Sequence, residues 1–376
     1  MSKLRPLFLI GTRPEAIKMA PIIHQCQTQS DDVAAIVCTT GQHKELLQQV
    51  IDYFQVPVER DLALMQPDQT LAGLTARCIT AVDQLLAELK PDCVVGQGDT
   101  TTVLCAAMAA FYRRLPFVHI EAGLRTGNLY SPWPEEMNRR VASIVTAVHC
   151  APTQGAVNNL LREGADPKTV HLTGNTVIDA LMSSIERERA RENDWQKQFP
   201  MVGKSRMVLI TGHRRENFGA GFEQICLAIA ALSKQFPDVQ FVYPVHLNPN
   251  VQKPVRALLS TLNNVHLLPP ASYPAFVWLM DRSTVILTDS GGVQEEAPSL
   301  KKPVLVMRDT TERPEAVDAG AAELVGTDSA RIIQRVGLLL TDQNEYRRRQ
   351  IATNPYGDGK ASQRIVQLML QMKRNP

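Results

Sequence analysis

Short apolar runs alternate with longer amphipathic stretches along the chain, and this alternation predicts strands and helices in turn. In the first half, apolar runs predict strands at 7–10, 36–39, 92–95 and 117–120, with helices at 15–27 and 101–113. In the second half they predict strands at 207–210, 241–243, 265–268, 285–287 and 304–307, with a helix from about 222. Strand–helix–strand order with short links favours right-handed parallel βαβ units covered on both faces.

The pattern predicts an α/β protein with two doubly wound, Rossmann-like domains that face a central cleft. We place the N-terminal domain at 1–175, joined by a C-terminal helix at 361–376, and the C-terminal domain at 176–360. The chain of 376 residues has the length of about two such domains. The charged stretch 183–206 lacks strand character and is expected just after the boundary.

Composition and charge limit the kinds of molecule that the protein is expected to bind. Lys plus Arg number 40 and Asp plus Glu 38, so the formal charge of +2 provides no basic face for a nucleic acid. Seven scattered cysteines without Cys-x-x-Cys are typical of reduced thiols in a cytosolic protein. No apolar run has the length of a signal-peptide core or a membrane span. We therefore expect a cytoplasmic protein that binds neither nucleic acid nor membrane.

Polar or glycine-rich clusters follow the predicted strands at 11–13, 98–100, 121–125, 213–216, 290–292 and 308–313. Ligands of doubly wound sheets bind beyond the carboxyl ends of the strands, so these clusters predict a binding site. The turn at 288–296 has two glycines that permit close approach of a ligand, and a helix start that favours phosphate. A tight turn with a serine cap is the alternative.

Three carboxylates are candidates for proton transfer, and each also has an ordinary structural interpretation. Asp99 lies in a motif (98–102) whose aspartate and threonines suit a helix N-cap, Glu121 suits an ion pair with Arg125, and Glu135 suits the first turn of a helix. If all three converged beside an anionic ligand, their pKa values would rise and they could exchange protons.

The cationic and aromatic candidates likewise have both a binding interpretation and a structural one. Arg13 and Lys18 could bind a diphosphate or be solvated, and His213 could bind phosphate or transfer a proton. Phe276 could stack on a base, whereas we assign Trp278 to the core. Neither a Walker spacing nor a complete dinucleotide fingerprint occurs, which disfavours ATP and NAD. No compact metal-ligand spacing is found either, so we expect no cofactor and no metal.

Ten segments together resemble the bacterial non-hydrolysing UDP-N-acetylglucosamine 2-epimerases. They are GTRPEAIKMAP (11–21), QGDTTT (97–102), HIEAGLRTG (119–127), YSPWPEEMNR (130–139), TGNTVIDAL (173–181), TGHRREN (211–217), YPVHLNPNV (243–251), LTDSGGVQEEAPSL (287–300), RDTTERPEAV (308–317) and NPYGDG (354–359). The resemblance spans nearly the whole chain. It implies a glycosyltransferase-B-type fold, a homodimer, and reversible conversion of UDP-GlcNAc to UDP-ManNAc for envelope or capsule polysaccharides.

The resemblance also implies roles for individual residues. The catalytic set would be Asp99, Glu121, Glu135 and His213. The nucleotide sugar would be bound by Arg13, Lys18, Phe276, Ser290, Gly291, Gly292, Glu296 and Arg313. A second, activating UDP-GlcNAc pocket would use Gln42, Arg214 and His246. Here Glu45, Asp68 and Ala271 replace polar residues of some relatives, and the two acids disfavour a diphosphate in that second pocket.

The implied chemistry breaks the C1–O bond, releases UDP and removes the C2 proton to give 2-acetamidoglucal, after which UDP adds back. It needs cations and N–H groups at the diphosphate and carboxylates on both faces of the sugar. Three alternatives stay open at this stage: a hydrolysing 2-epimerase that releases UDP and ManNAc, a glycosyltransferase of the same architecture, and a catalytically silent nucleotide-sugar sensor.

Overall fold

A computed structural model of the chain describes residues 2–41, 44–66 and 68–374. Its internal contacts divide the chain into two compact units. The first, here the N-unit, comprises Met1–Ala180 and Tyr356–Pro376, and the second, here the C-unit, comprises Leu181–Pro355. The N-unit is therefore built from two separate stretches of chain, whereas the C-unit is continuous.

The N-unit contains a sheet of seven parallel strands: β1 (Pro6–Ile10), β2 (Ile36–Thr39), β3 (Arg60–Asp61), β4 (Cys93–Gln97), β5 (Phe117–Ile120), β6 (Val148–Ala151) and β7 (Val170–Leu172). Their order is β3-β2-β1-β4-β5-β6-β7, so the chain winds outwards in both directions from the centre. Every residue of β1 and β4 is buried, because helices cover both faces of the sheet.

Seven helices follow these strands: α1 (Arg13–Thr28), α2 (Lys44–Phe54), α3 (Leu71–Leu89), α4 (Thr101–Tyr112), α5 (Glu135–Ile144), α6 (Gln154–Arg162) and α7 (Thr176–Ala190). Helix α1 packs against α2, and α4 packs between α3 and α5. Small apolar residues of α4, such as Ala106 and Ala110, let the helix lie close to the sheet, and both are 0% exposed.

The C-unit repeats the same topology with six parallel strands: β8 (Met207–Thr211), β9 (Gln240–Pro244), β10 (Val265–Leu268), β11 (Val285–Thr288), β12 (Val304–Val306) and β13 (Ala322–Leu324). Their order is β10-β9-β8-β11-β12-β13. Its helices are α8 (Glu192–Gln198), α9 (Ala220–Gln235), α10 (Pro249–Leu259), α11 (Tyr273–Arg282), α12 (Gly291–Glu296), α13 (Pro314–Asp318), α14 (Ser329–Thr341) and α15 (Gln343–Arg349). The core between α9, α14 and the sheet contains Phe222, Ile229, Phe241 and Val336.

The last helix, α16 (Ala361–Arg374), packs against α1 of the N-unit. Asp179 of α7 fixes its start, since its carboxylate accepts hydrogen bonds from the backbone N–H of Ala361 (3.2 Å) and Ser362 (2.8 Å). The Ser362 hydroxyl donates to the same carboxylate. These donors are N–H groups that a helix start leaves without a partner of its own, so Asp179 acts as a cap supplied by another helix.

The predicted pair of doubly wound parallel α/β sheets is confirmed. Strands β3, β6, β7 and β13 were not predicted. Strand β3 has only two residues and both are exposed, and β7 has three residues that are only partly buried, so neither leaves an apolar run. Among the described helices, none combines the length and apolar character that crossing a membrane requires.

Candidate active site

The candidate residues of the N-unit lie beyond the carboxyl ends of three adjacent strands. Arg13 follows β1, Asp99 follows β4 and Glu121 follows β5. Because β1, β4 and β5 are neighbours and parallel, their carboxyl ends meet at one edge of the sheet. Gly98, just before Asp99, has a φ of +80°, a conformation that favours glycine, and it lets the chain turn sharply at this edge.

Glu121 adopts a φ of +62°, in the left-handed region that non-glycine residues avoid. Such a conformation costs on the order of 1–3 kcal/mol and persists only where surrounding contacts impose it. Here the carboxylate contacts Lys18 Nζ at 2.5 Å and accepts hydrogen bonds from Asn175 Nδ2 at 3.0 Å and from Gln97. Three donors from β4, α1 and the segment before α7 thus hold this carboxylate in one position.

Asp99 is held equally firmly. Its carboxylate forms an ion pair with Arg139 of α5, and Asn138 Nδ2 donates to its backbone carbonyl at 2.9 Å. Burial raises the pKa of Asp99, and the nearby Glu121 and Glu135 raise it further, whereas Arg139 and Lys18 lower it. Glu121 and Glu135 therefore both lie close enough to Asp99 to raise its pKa.

A further buried carboxylate, Glu15, joins two of the turns that form this edge. Its side chain accepts the backbone N–H of Gly11 (2.6 Å) and Thr12 (2.7 Å) after β1, and the hydroxyl of Thr100 after β4. Burial raises the pKa of Glu15 to about 7, against the opposing effect of these hydrogen bonds. Sequence reasoning missed this role, since an acid in the first turn of a helix is ordinary.

Of the structural interpretations left open by the sequence, the ion pair between Glu121 and Arg125 is wrong. Arg125 forms its ion pair with Glu163 at 2.8 Å, and the cation at Glu121 is Lys18. The expected cap at the start of α4 is confirmed, but Thr100 provides it: its hydroxyl accepts the N–H of Val103, whereas the carboxylate of Asp99 pairs with Arg139.

Glu135 opens α5 in a half-buried position, and its Oε2 is buried without a hydrogen-bond partner among the described residues. The adjacent Glu136 has an evident structural role, because it accepts the N–H groups of Thr126 (3.1 Å) and Gly127 (3.3 Å). Of the two neighbouring acids, Glu135 is thus the one whose oxygen is left for another partner.

In the C-unit, the candidate residues follow the adjacent strands β8 and β11. His213 and Arg214 come after β8, and their backbone N–H groups both donate to Asp289 Oδ2 at 2.8 Å. The His213 ring stacks on His246, with ring centroids 5.4 Å apart and an interplanar angle of 18°. Burial lowers the pKa of His213, Asp289 raises it, and Arg214 and His246 lower it.

The turn after β11 carries the glycines that the sequence assigned to phosphate binding. A Cβ built on Gly291 would lie 3.7 Å from the guanidinium carbon of Arg313 and 3.8 Å from Nη2 of Arg214. Two guanidinium groups therefore meet beside a backbone that has no side chain in the way, an arrangement suited to an anion. Ser290 occupies the N-cap position of α12, but its side chain caps no N–H group within the described chain.

The other candidates of this unit lie on α11, on α12 and at the start of α13. Arg313 forms an ion pair with the buried Glu295 of α12, and Glu296 follows it in a half-buried position. Phe276 is half-buried on α11. The assignment of Trp278 to the core is confirmed, at 1% exposure, with its indole N–H donating to Glu192 at 2.9 Å.

The residues implied for a second pocket are only partly described. Gln42 lies outside the described residues, as does the side chain of Glu45. Asp68 is exposed and has a φ of +49°. Arg214 and His246 both lie beside His213, so the described members of this set adjoin the candidate catalytic histidine.

The structure thus brings the sequence candidates together in two groups, one at the strand ends of each unit. It adds residues that sequence reasoning did not single out: Glu15, Gln97, Asn138, Arg139, Asn175, Asp289 and Glu295. All seven fall inside the ten segments quoted above, so the segments contained the signal although the individual roles were not evident.

Comparison with known proteins identifies the family. A family profile described as UDP-N-acetylglucosamine 2-epimerase matches residues 24–370. The UDP-N-acetylglucosamine 2-epimerase of Escherichia coli K12 is 50% identical over 370 residues, covering 97% of this chain and 98% of the relative. The chain belongs to the UDP-N-acetylglucosamine 2-epimerase family.

Solved structures agree in fold. The crystal structure of UDP-GlcNAc 2-epimerase from Neisseria meningitidis bound to UDP-GlcNAc has a TM-score of 0.91 and 49% identity, over 98% of this chain and 100% of that one. The Methanocaldococcus jannaschii enzyme in complex with UDP-GlcNAc and UDP has a TM-score of 0.81 and 31% identity, over 98% and 100% of the two chains. The two doubly wound units are consistent with the glycosyltransferase-B-type fold.

Proposed function

We propose that this chain interconverts UDP-GlcNAc and UDP-ManNAc without hydrolysis, by eliminating UDP to give 2-acetamidoglucal and adding it back. The observation that carries the proposal is the cluster of Asp99, Glu121 and Glu135 at one sheet edge, together with Lys18 and Arg139. Family membership and the UDP-GlcNAc bound by the Neisseria relative support the choice of substrate.

The chemistry explains why several carboxylates are needed. The carbon C2 carries an acetamido group and no neighbouring carbonyl, so its proton is not acidic in the intact sugar. Departure of UDP from C1 makes that proton removable, and one carboxylate accepts it as the C1–C2 double bond forms. Return of UDP to C1 and delivery of a proton to the other face of C2 reverse the configuration. The cycle is redox-neutral, so it requires no nicotinamide cofactor.

The roles proposed for the residues follow their charges. Asp99, Glu121 and Glu135 serve the proton transfers, and the raised pKa of Asp99 suits a group that must both hold and release a proton. His213 serves the departing phosphate oxygen. The substrate is bound by Arg13, Lys18, Phe276, Ser290, Gly291, Gly292, Glu296 and Arg313, with the cations on the diphosphate and Glu296 on the ribose hydroxyls.

The test is turnover of UDP-GlcNAc in D₂O, followed by NMR. Epimerisation through the glycal predicts deuterium at C2 of both UDP-sugars and no accumulation of free sugar. Free ManNAc with an equal amount of UDP would instead identify the hydrolysing reaction. A glycosyltransferase would require an acceptor and incorporate no deuterium at C2, and a sensor would bind UDP-GlcNAc without any turnover.

We also propose that the protein is a homodimer in the cytoplasm, and that its product supplies envelope or capsule polysaccharide synthesis. Support for the dimer comes from Phe111, Tyr112 and Ile144, which are 59%, 64% and 82% exposed at the C-terminal ends of the packed helices α4 and α5. Ile144→Asp should lower the mass measured by sedimentation, whereas Leu227→Asp, on α9, should not. The seven buried free thiols suit a reducing compartment.

A second molecule of UDP-GlcNAc is proposed as an activator, bound through Gln42, Arg214 and His246. The support is the position of Arg214 beside both Gly291 and His213, which would let a second anion influence the first site. Activation predicts that UDP-ManNAc alone is converted slowly until UDP-GlcNAc is added. Hyperbolic kinetics from either substrate, with no lag, would refute it.

A further inference from the structure

Asp289 is an unusual residue of the C-unit, because its carboxylate is fully buried at 0% exposure next to the candidate histidine. One oxygen, Oδ2, accepts the backbone N–H of His213 and of Arg214, each at 2.8 Å, and is 3.4 Å from Asn217 Nδ2. These bonds fix the turn after β8. A buried carboxylate is costly unless its oxygens find donors, so the second oxygen also needs a partner.

That second oxygen, Oδ1, is buried and accepts no hydrogen bond from any residue that the structure describes. It lies 3.4 Å from Nδ1 of His213, an ion-pair distance that a small movement of the ring shortens to a hydrogen bond. The stack of His213 on His246 restrains the plane of the ring. The imidazole side chain is 41% exposed, so its edge away from Asp289 stays accessible.

We propose that Asp289 is a positioning residue for His213: it holds the neutral imidazole as the Nδ1–H tautomer and so leaves the lone pair of Nε2 for the substrate. The Nδ1–H donates to Oδ1 of Asp289, and Nε2 takes up a proton from solvent to give the imidazolium, which donates that proton to a phosphate oxygen and returns to the neutral form. The identity of that phosphate rests on the proposed function, whereas the tautomer does not.

The charges around the ring make the tautomer decisive. The groups that face His213 are Asp289, Arg214 and His246, and burial acts with the last two to lower its pKa. The imidazole is therefore neutral near pH 7, and only one of its nitrogens carries a proton. A carboxylate at Nδ1 selects which nitrogen that is, as second-sphere carboxylates do for functional histidines generally.

The tautomer is measured directly by long-range ¹⁵N–¹H NMR of protein labelled in its eight histidines. The signal of His213 is the one lost in His213→Gln. We expect a protonated Nδ1 and an unprotonated Nε2 in the wild type. In Asp289→Asn, the amide oxygen must still accept the two backbone N–H groups, so its NH₂ faces Nδ1 and the proton should move to Nε2.

Asp281→Asn is the matched control, since Asp281 is another buried aspartate of the C-unit but pairs with Arg189 at 2.7 Å. It should leave the His213 signal unchanged. An Nε2–H tautomer in the wild type overturns the proposal, and so does an unchanged tautomer in Asp289→Asn. The wild-type spectrum decides by itself if the variant fails to fold.

Kinetics supply the second readout. Asp289→Asn should lower kcat about 100-fold or more with little change in KM. It should also shift the basic limb of the pH–rate profile to lower pH, because the carboxylate that raises the pKa of His213 is gone and the imidazole loses its proton earlier. A loss of kcat with an unshifted limb contradicts the proposal. If neither wild type nor variant epimerises UDP-GlcNAc but the tautomer changes as expected, the proposed function fails and the positioning role stands.

Discussion

Replacing Glu15 by glutamine should abolish the loss of stability that the N-unit undergoes as Glu15 ionises with rising pH. The pKa of Glu15 is raised from 4.5 to about 7, mainly by burial. A carboxyl group whose pKa is higher in the folded state than in the unfolded state stabilises the fold while protonated, and that stability is lost as the pH rises through the folded pKa. The wild-type N-unit should therefore lose stability between about pH 4.5 and pH 7.

The size of the effect follows from the shift. A difference of about 2.5 pKa units, at about 1.4 kcal/mol per unit, corresponds to roughly 3.5 kcal/mol in the free energy of unfolding. Glutamine resembles the protonated acid, since its oxygen can accept the N–H groups of Gly11 and Thr12 while its NH₂ donates to Thr100. The variant should match the wild type near pH 5 and exceed it by roughly 2–3 kcal/mol above pH 7.

Hydrogen exchange followed by mass spectrometry measures the stability of each unit separately as a function of pH. Peptides from β1 and β4 should show the pH-dependent difference in opening free energy between wild type and Glu15→Gln, after correction for intrinsic exchange. Peptides from β8 and β11 of the C-unit serve as an internal control and should show none. Parallel curves for the two proteins across this range would refute the reasoning, because burial would then not govern the ionisation of Glu15.

Two other substitutions have direct readouts. Arg313→Ala should weaken UDP binding by about 10- to 100-fold in calorimetry, the effect of losing one charge-assisted contact, whereas Arg348→Ala, which breaks a surface pair with Glu345, should leave UDP affinity unchanged. A wild-type affinity in Arg313→Ala would contradict its assignment. Asp179→Ala should destabilise α16 by about 1–3 kcal/mol and speed amide exchange at 361–374. Asp358→Ala, which loses an exposed pair with Arg364 and an exposed hydrogen bond from the Lys360 N–H, should destabilise it by less than about 1 kcal/mol. Equal effects would argue against capping by Asp179.

Most of the fold could be predicted from the sequence because parallel strands buried on both faces are continuous apolar runs. Strands 7–10 and 207–210 are of this kind, and β1 and β8 are buried along nearly their whole length. The edge strands β3 and β7 lack that signal. The residues of β7 are partly exposed and include His171, so their pairing with β6 depends on tertiary contacts that apolar periodicity does not record.

The sequence could predict where the candidate site lies, but it could not predict which side chains pair with one another there. The rule that ligands bind beyond the carboxyl ends of strands pointed to Asp99, Glu121 and His213. Their ion-pair partners could not be inferred from spacing, because Arg139 meets Asp99 across 40 positions and Lys18 meets Glu121 across 103. Arg125, only four positions from Glu121, binds elsewhere, so closeness in sequence was misleading here.

The cap that Asp179 provides for α16 has a consequence for biosynthesis. A ribosome completes the whole C-unit before it makes the helix that finishes the N-unit, although domains of nascent chains usually fold in the order of their synthesis. Until α16 is made, α1 lacks the helix that packs against it, and Ile365, Val366 and Met369 of that helix are each buried at 0% in the folded protein. The first unit to emerge is thus the last to be completed, and any ribosome that stops early releases a chain with an uncovered apolar face.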